Sequence, residues 1–141
     1  MSAAEDDDRR HSNYRLYDRM RLAQNARDHS TWLSCFTEDV VFEAPYYGDG
    51  APMASGRQEM SAIFAGMNRT FSSVHYELKR FIPAVDPDLV LAQVHGDNKV
   101  ASNGNRYRND YLFVIECRDG KIARVLEYSN PVAYSDAVGT S

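Results

Sequence analysis

The sequence predicts an α+β domain in which three helices pack on one side of a curved, mainly antiparallel sheet that encloses one pocket. Three observations predict it: helical apolar spacing is concentrated in the first half, β-rich alternating runs fill the second, and Asp119-Gly120 joins the last two runs as a hairpin signal. A single domain is expected over residues 12–141 of the 141-residue chain. A domain of that size buries roughly two-thirds of its unfolded surface and can hold a pocket.

Residues 1–11 carry the run Glu5-Asp6-Asp7-Asp8 among small polar residues and predict a solvated, disordered acidic tail. From Asn13 to Arg27 there is no Gly or Pro, and Leu16, Met20 and Ala23 recur at helical spacing beside Tyr17. His29, Trp32, Leu33 and Phe36 repeat that spacing after the caps Asp28 or Ser30, giving a short second helix. A strand follows over Asp39–Tyr46, and Gly and Pro between Pro45 and Pro52 mark a loop. Ser55 and Gln58 fit a capping box ahead of Met60, Ile63, Phe64 and Met67, the stripe of a third helix. Strands are then expected near residues 73–83, 89–99, 107–117 and 122–129.

Composition excludes several functions. With 16 Lys+Arg against 20 Asp+Glu the formal charge is −4, and no basic stripe is present to bind nucleic acid. No apolar run reaches the roughly 18 residues of a membrane span, and the acidic start lacks the order of a signal peptide. A cytoplasmic protein without a membrane partner is expected. Cys35 and Cys117 lie in apolar runs and read as reduced structural thiols. His29 and His95 have no ligand-spaced partners, and Gly48, Gly50 and Gly56 punctuate a loop rather than cradle a phosphate. Neither a metal nor a cofactor is expected.

A two-residue loop at Asp119-Gly120 pairs Glu127 with Leu112, Val125 with Val114, and Asp110 with Ser129, all on one face. There Glu127 sits among Leu112, Val114 and Val125, with Asp110 on the diagonal, and both the apolar setting and the second carboxylate push its pKa up. A Glu tuned toward neutrality suits proton shuttling, and an ion pair with Arg or Lys at the sheet rim is the alternative. His75, Glu77 and Lys79 share one face of their strand and Val74, Tyr76 and Leu78 the other. Either the polar face lines the pocket or it looks to solvent.

The series Asn109-Asp110-Tyr111, Asp119-Gly120-Lys121-Ile122 and Glu127-Tyr128-Ser129-Asn130-Pro131 resembles the nuclear transport factor 2-like superfamily. Within it, the resemblance is to the SnoaL-like polyketide cyclase group and most of all to the phenazine-biosynthesis A/B proteins, and it covers about residues 12–137. It implies a cone-shaped fold over one deep, mostly apolar pocket, commonly in a homodimer. It also implies an active Glu at Glu127. The family's second active residue, a His, aligns onto Glu77, two residues after His75, and this tips His75 and Glu77 toward the pocket. Asp110 joins them as a candidate catalytic group. Phe42, Ala44 and Tyr46 share the strand face used by the family's pocket, with Tyr17, Met20 and Trp32 on the helical side and Leu112, Val114, Val125 and Ser129 on the hairpin.

The reading is therefore a cofactor-independent acid–base enzyme, an isomerase, cyclase or dehydratase of secondary metabolism. Its substrate is a small, largely apolar metabolite bearing a carbonyl or hydroxyl. Epoxide ring opening and non-catalytic binding of a small molecule are the alternatives.

Overall fold

The computed structural model describes residues 2–139. Four helices pack against a strongly curled mixed sheet of seven strands. Helices α1 (Ala3–Ala26) and α2 (His29–Ser34) precede β1 (Phe36–Glu43) and the short β2 (Ala54–Ser55). Helix α3 (Arg57–Thr70) leads into β3 (Phe71–Ser73), β4 (Tyr76–Pro83), β5 (Leu89–Val100), β6 (Arg106–Arg118), β7 (Lys121–Tyr128) and α4 (Pro131–Val138). The sheet order is β2-β1-β7-β6-β5-β3, with β4 also paired to β5. All pairings are antiparallel except β1 with β7, which run parallel.

Helix α1 starts at Ala3, so residues 3–11 are helical where a disordered tail is expected from the sequence; Met1 lies outside the described residues. The Ser2 hydroxyl caps the start by accepting from the Glu5 amide at 3.1 Å, and Glu5 and Asp6 oppose the positive end of the helix dipole. Tertiary contacts hold the first turns. Arg9 pairs with Asp88, and Arg10 donates to the Ala84 and Val85 carbonyls at 3.0 and 2.7 Å, fastening the helix to the β4–β5 turn. Composition favours disorder here, and these long-range bonds override it.

Helix α2 is capped by Asp28, which accepts from the Thr31 amide at 3.2 Å. The capping box expected at Ser55 and Gln58 does not form. Gly56 is the N-cap of α3, and Glu59 reaches back to accept from the Ser55 amide at 3.0 Å. The strand expected over residues 73–83 is broken at Val74 and His75, so β3 and β4 pair with different parts of β5. Cys35 and Cys117 are buried and free.

The β6–β7 hairpin turns on Asp119 and Gly120, both at positive φ (51° and 77°), the combination that matches strand twist. Arg118 pairs with Lys121 and Cys117 with Ile122, as the sequence predicts, but Glu116 then pairs with Arg124. Ala123 is the extra residue of a β-bulge, and beyond it the register is shifted by one. Glu127 therefore opposes Phe113, not Leu112, and Tyr128 opposes Leu112. Because side chains alternate faces, this step turns Val125 and Glu127 inward together with Tyr107, Tyr111 and Phe113.

Gly96 on β5 makes room for two of the inward rings. A Cβ there would lie 2.9 Å from Tyr111 and 3.1 Å from Tyr76, closer than packed carbon atoms tolerate.

Candidate active site

The inner face of the sheet and the helices enclose a cavity of about 410 Å³. Each wall follows from local periodicity. Met60, Ile63, Phe64 and Met67, the stripe of α3, form one wall, with Tyr17, Met20 and Gln24 from α1 and Trp32 from α2 beside it. Phe42 and Ala44, at and just past the end of β1, face Val125 and Glu127 of β7; Tyr107, Tyr111 and Phe113 come from β6 and Tyr76 from β4. Tyr47 and Met53 of the β1–β2 loop and Tyr134 of α4 complete the lining.

Glu127 is the one carboxylate in that lining, and no Lys, Arg or His joins it among the described residues. Burial in this apolar setting pushes its pKa from 4.5 up to about 7, and a hydrogen bond from Ser129 pulls weakly the other way. The Ser129 hydroxyl donates to Glu127 Oε2 at 3.0 Å, and the Tyr47 hydroxyl lies 2.8 Å from Ser129 Oγ. Glu127 Oε1 has no hydrogen-bond partner among the described residues.

The phenols surrounding Glu127 are proton donors. Burial raises the pKa of Tyr17, Tyr107 and Tyr111 and pushes Tyr76 up to about 12, with the Glu127 charge adding to the rise at Tyr76 and Tyr111. The Tyr76 hydroxyl accepts from Asn98 Nδ2 at 3.0 Å and, among the described residues, has only the Met67 sulfur, at 3.8 Å, as acceptor. The Tyr17 hydroxyl makes no protein hydrogen bond among the described residues. Both protons can therefore be offered to a ligand oxygen.

Of the residues singled out from sequence, Glu127, Tyr17, Met20, Trp32, Phe42, Ala44 and Val125 meet at this cavity. His75, Glu77 and Asp110 do not. His75 and Glu77 are exposed because Tyr76, on the opposite face of that stretch of chain, takes the inward position; Glu77 pairs with Lys79 at 3.3 Å. Asp110 points outward from β6 with its side chain 90% exposed and bonds His95 at 2.8 Å. It adds nothing to the shift at Glu127, so of the two causes expected for that shift only burial operates.

Leu112 and Val114 lie on the outer face, because β6 alternates without a break and Tyr111, Phe113 and Ile115 take the inner positions. Ser129 lies behind Glu127 as its hydrogen-bond donor rather than in the lining. Tyr46 is 63% exposed, because β1 stops at Glu43 and a turn closed by the Tyr47 amide on the Ala44 carbonyl presents Tyr47 instead. Sequence reading missed Tyr47, Tyr76 and the β6 phenols. The signal for β6 was present in the alternation of Tyr107, Tyr111 and Phe113, whereas nothing local announces which way the turn after Pro45 points.

The SnoaL-like domain matches residues 15–125. An uncharacterised PhzA/B-like protein of Pseudomonas aeruginosa is 32% identical over 124 residues, 85% of this chain and 84% of that one. Among solved structures, a Bacillus subtilis protein named as a candidate isomerase is 27% identical with a TM-score of 0.82, covering 93% of this chain and 95% of its own. A phenazine biosynthesis-related protein of Pseudomonas aeruginosa shares the fold at a TM-score of 0.85 and 20% identity, over 97% and 91% of the two chains. The domain match spans most of the chain, from α1 to the inward-facing Val125 of β7, and on it the chain belongs to the SnoaL-like domain family.

Proposed function

We propose that this chain is a cofactor-independent acid–base enzyme that isomerises, cyclises or dehydrates a small, largely apolar metabolite bearing a carbonyl or hydroxyl, with Glu127 as the proton shuttle. One observation carries the reading: a single carboxylate, held near a pKa of 7 in an apolar cavity, keeps one oxygen free. A base of that strength is ionised in about half the molecules at neutral pH, and once protonated it is an acid of matching strength. Ionised Glu127 takes a proton at Oε1 from carbon beside the ligand carbonyl. The Tyr17 or Tyr76 hydroxyl donates to the oxygen where charge develops, and Oε1 then returns the proton at a second position. The likeness to a Bacillus subtilis protein named as a candidate isomerase supports this class.

Epoxide ring opening is less well supported, since no second carboxylate and no cation stands beside Glu127 in the lining. Pure binding is the reading that fails to explain an unpaired carboxylate in an apolar wall. The family resemblance supports a role in secondary metabolism. No helix among the described residues is long and apolar enough to cross a membrane.

The resemblance also carries a homodimer, and a row of half-buried residues on the outer sheet face, Leu91, Val114 and Leu126 in register across β5, β6 and β7, supports that face as its interface. Native mass spectrometry should show two chains, and Leu126→Lys should give one.

Glu127→Gln should lower turnover by about 10²–10⁴-fold with the fold intact. Rates equal to the parent chain would sink the assignment. The same substitution should stabilise the protein at high pH. The folded pKa lies above the unfolded value, so the carboxyl favours folding below about pH 4.5, and that contribution is lost as pH rises through about 7. The amide, which never ionises, should therefore be more stable at pH 8, by an amount on the order of 2 kcal/mol, with no such gain at pH 4. Thermal melts at the two pH values check this.

With no cation in the lining to receive an anion, neutral 1-naphthol should bind at least about tenfold more tightly than 1-naphthoate at pH 8. Calorimetric titration of both probes decides it, and equal affinities would remove the charge argument.

A further inference from the structure

Glu127 is reached by two hydroxyl groups in a row, and the single proton of one of them sets the direction of both. Ser129 has one proton, and it is committed to Glu127 Oε2 at 3.0 Å, so in the 2.8 Å contact between Tyr47 and Ser129 the phenol is the donor. Asn109, buried on β6, fixes the backbone that follows Ser129: it donates from Nδ2 to the Asn130 carbonyl at 2.9 Å and accepts at Oδ1 from the Asn130 amide at 3.2 Å.

We propose that Tyr47 and Ser129 are positioning residues forming a one-way hydroxyl chain that ends on Glu127 Oε2 and confines the exchanging proton to Oε1. The proposal rests on the reading of Glu127 as the proton shuttle. Its step balances simply: ligand carbon loses a proton to Oε1, Oε1 returns it to the ligand, and every proton of the chain stays on its own oxygen. The chain orients the carboxylate and does not conduct. Reversing it would turn the Ser129 proton to Tyr47 and leave Glu127 Oε2 facing an oxygen lone pair. Tyr47 of the β1–β2 loop and Ser129, just past β7, thereby serve one carboxylate.

Among the described residues, the titratable groups that face Glu127 from the surrounding elements are all phenols. They are Tyr17 of α1, Tyr76 of β4, Tyr107 and Tyr111 of β6, Tyr47 of the β1–β2 loop and Tyr134 of α4. The Ser129 bond is the hydrogen bond that the carboxylate accepts, and it favours the ionised form.

Carbon-13 NMR titration of the full chain, labelled at the Glu side-chain carboxyl carbon and with the Glu127 signal assigned by its loss in Glu127→Gln, tests the chain without any substrate. The midpoint near 7 should rise by about one pH unit in Ser129→Ala. It should rise by about half a pH unit in Tyr47→Phe, which leaves Ser129 in place and removes only its donor. Ser129→Thr, which keeps the hydroxyl, should return the midpoint to that of the parent chain. An unmoved midpoint in Tyr47→Phe, or a fall in Ser129→Ala, overturns the proposal. Full turnover in Glu127→Gln alongside the expected midpoints would instead overturn the enzyme reading and leave the chain standing.

Discussion

Ile122 and Val125 both point into the core although they are three positions apart on one strand, and the extra residue Ala123 is what reconciles them. Strand side chains alternate, so an unbulged β7 that buries Ile122 would also bury Arg124, Leu126 and Tyr128 and would turn Glu127 to solvent. The bulge lets the hairpin be read in one phase at its turn and in the other at the cavity. The parallel pairing with β1 is stepped by an irregularity on β1, where Phe36 opposes Ile122 but Val41, five positions on, opposes Arg124. The outward Arg124 then bonds Glu43 at 2.9 Å, while Phe42 and Val125 close the inner face beside Glu127. A bulge also bends its strand and sharpens the local twist, which suits a sheet that must curl around a cavity.

The carboxylate delivered there is costly to hold. An acid whose pKa is pushed from 4.5 to about 7 is less favourable, when ionised, inside than in water, and one serine offsets only part of the difference. The surrounding wall is large and aromatic. Trp32 lies edge-on to Phe36 at 4.7 Å and tilted against Phe64 at 4.7 Å, and Tyr111 stacks on Phe113 at 5.4 Å. Such rings bury much apolar surface per residue, and their polar tips are served from behind, Tyr76 by Asn98 and Tyr107 by Asn109. The wall thus supplies stability, and the carboxyl of Glu127 is the one group in it that the wall disfavours when ionised.

The fold class was legible because its signals are local. The α3 stripe, the alternation of β5 and β6 and the positive-φ turn at Asp119-Gly120 each depend on neighbouring residues. What sequence reading missed depends on contacts between distant segments. The bulge at Ala123 has no composition of its own, and it turns Val125 and Glu127 to the inner face, opposite Ile115 and Phe113 rather than Val114 and Leu112. Residues 3–11 have the composition of a disordered tail and are helical through contacts 74–79 positions away. The choice between the two faces flanking Tyr76 was left open by alternation and closed by burial, since Val74 and Tyr76 are apolar and the concave side holds the core. Helix α4 did carry a readable start, Asn130 as cap and Pro131 in the first turn, but follows the last strand too closely for any periodicity to show.

That short helix is tied to Glu127 by hydrogen bonds and ring contacts. The Asn130 side chain caps α4 by accepting from the Val132 amide at 3.0 Å, while its backbone holds Asn109 in both directions. Tyr134, one turn further on, meets Tyr47 and Tyr107 edge-to-face at ring separations of 6.1 and 5.5 Å. The loop that carries Tyr47, the helix that carries Tyr134 and the strand end that carries Glu127 therefore share one set of hydrogen bonds and ring contacts. Displacing the Tyr47 ring, on which Tyr134 packs, would remove the hydroxyl bonded to Ser129, the donor on Glu127 Oε2.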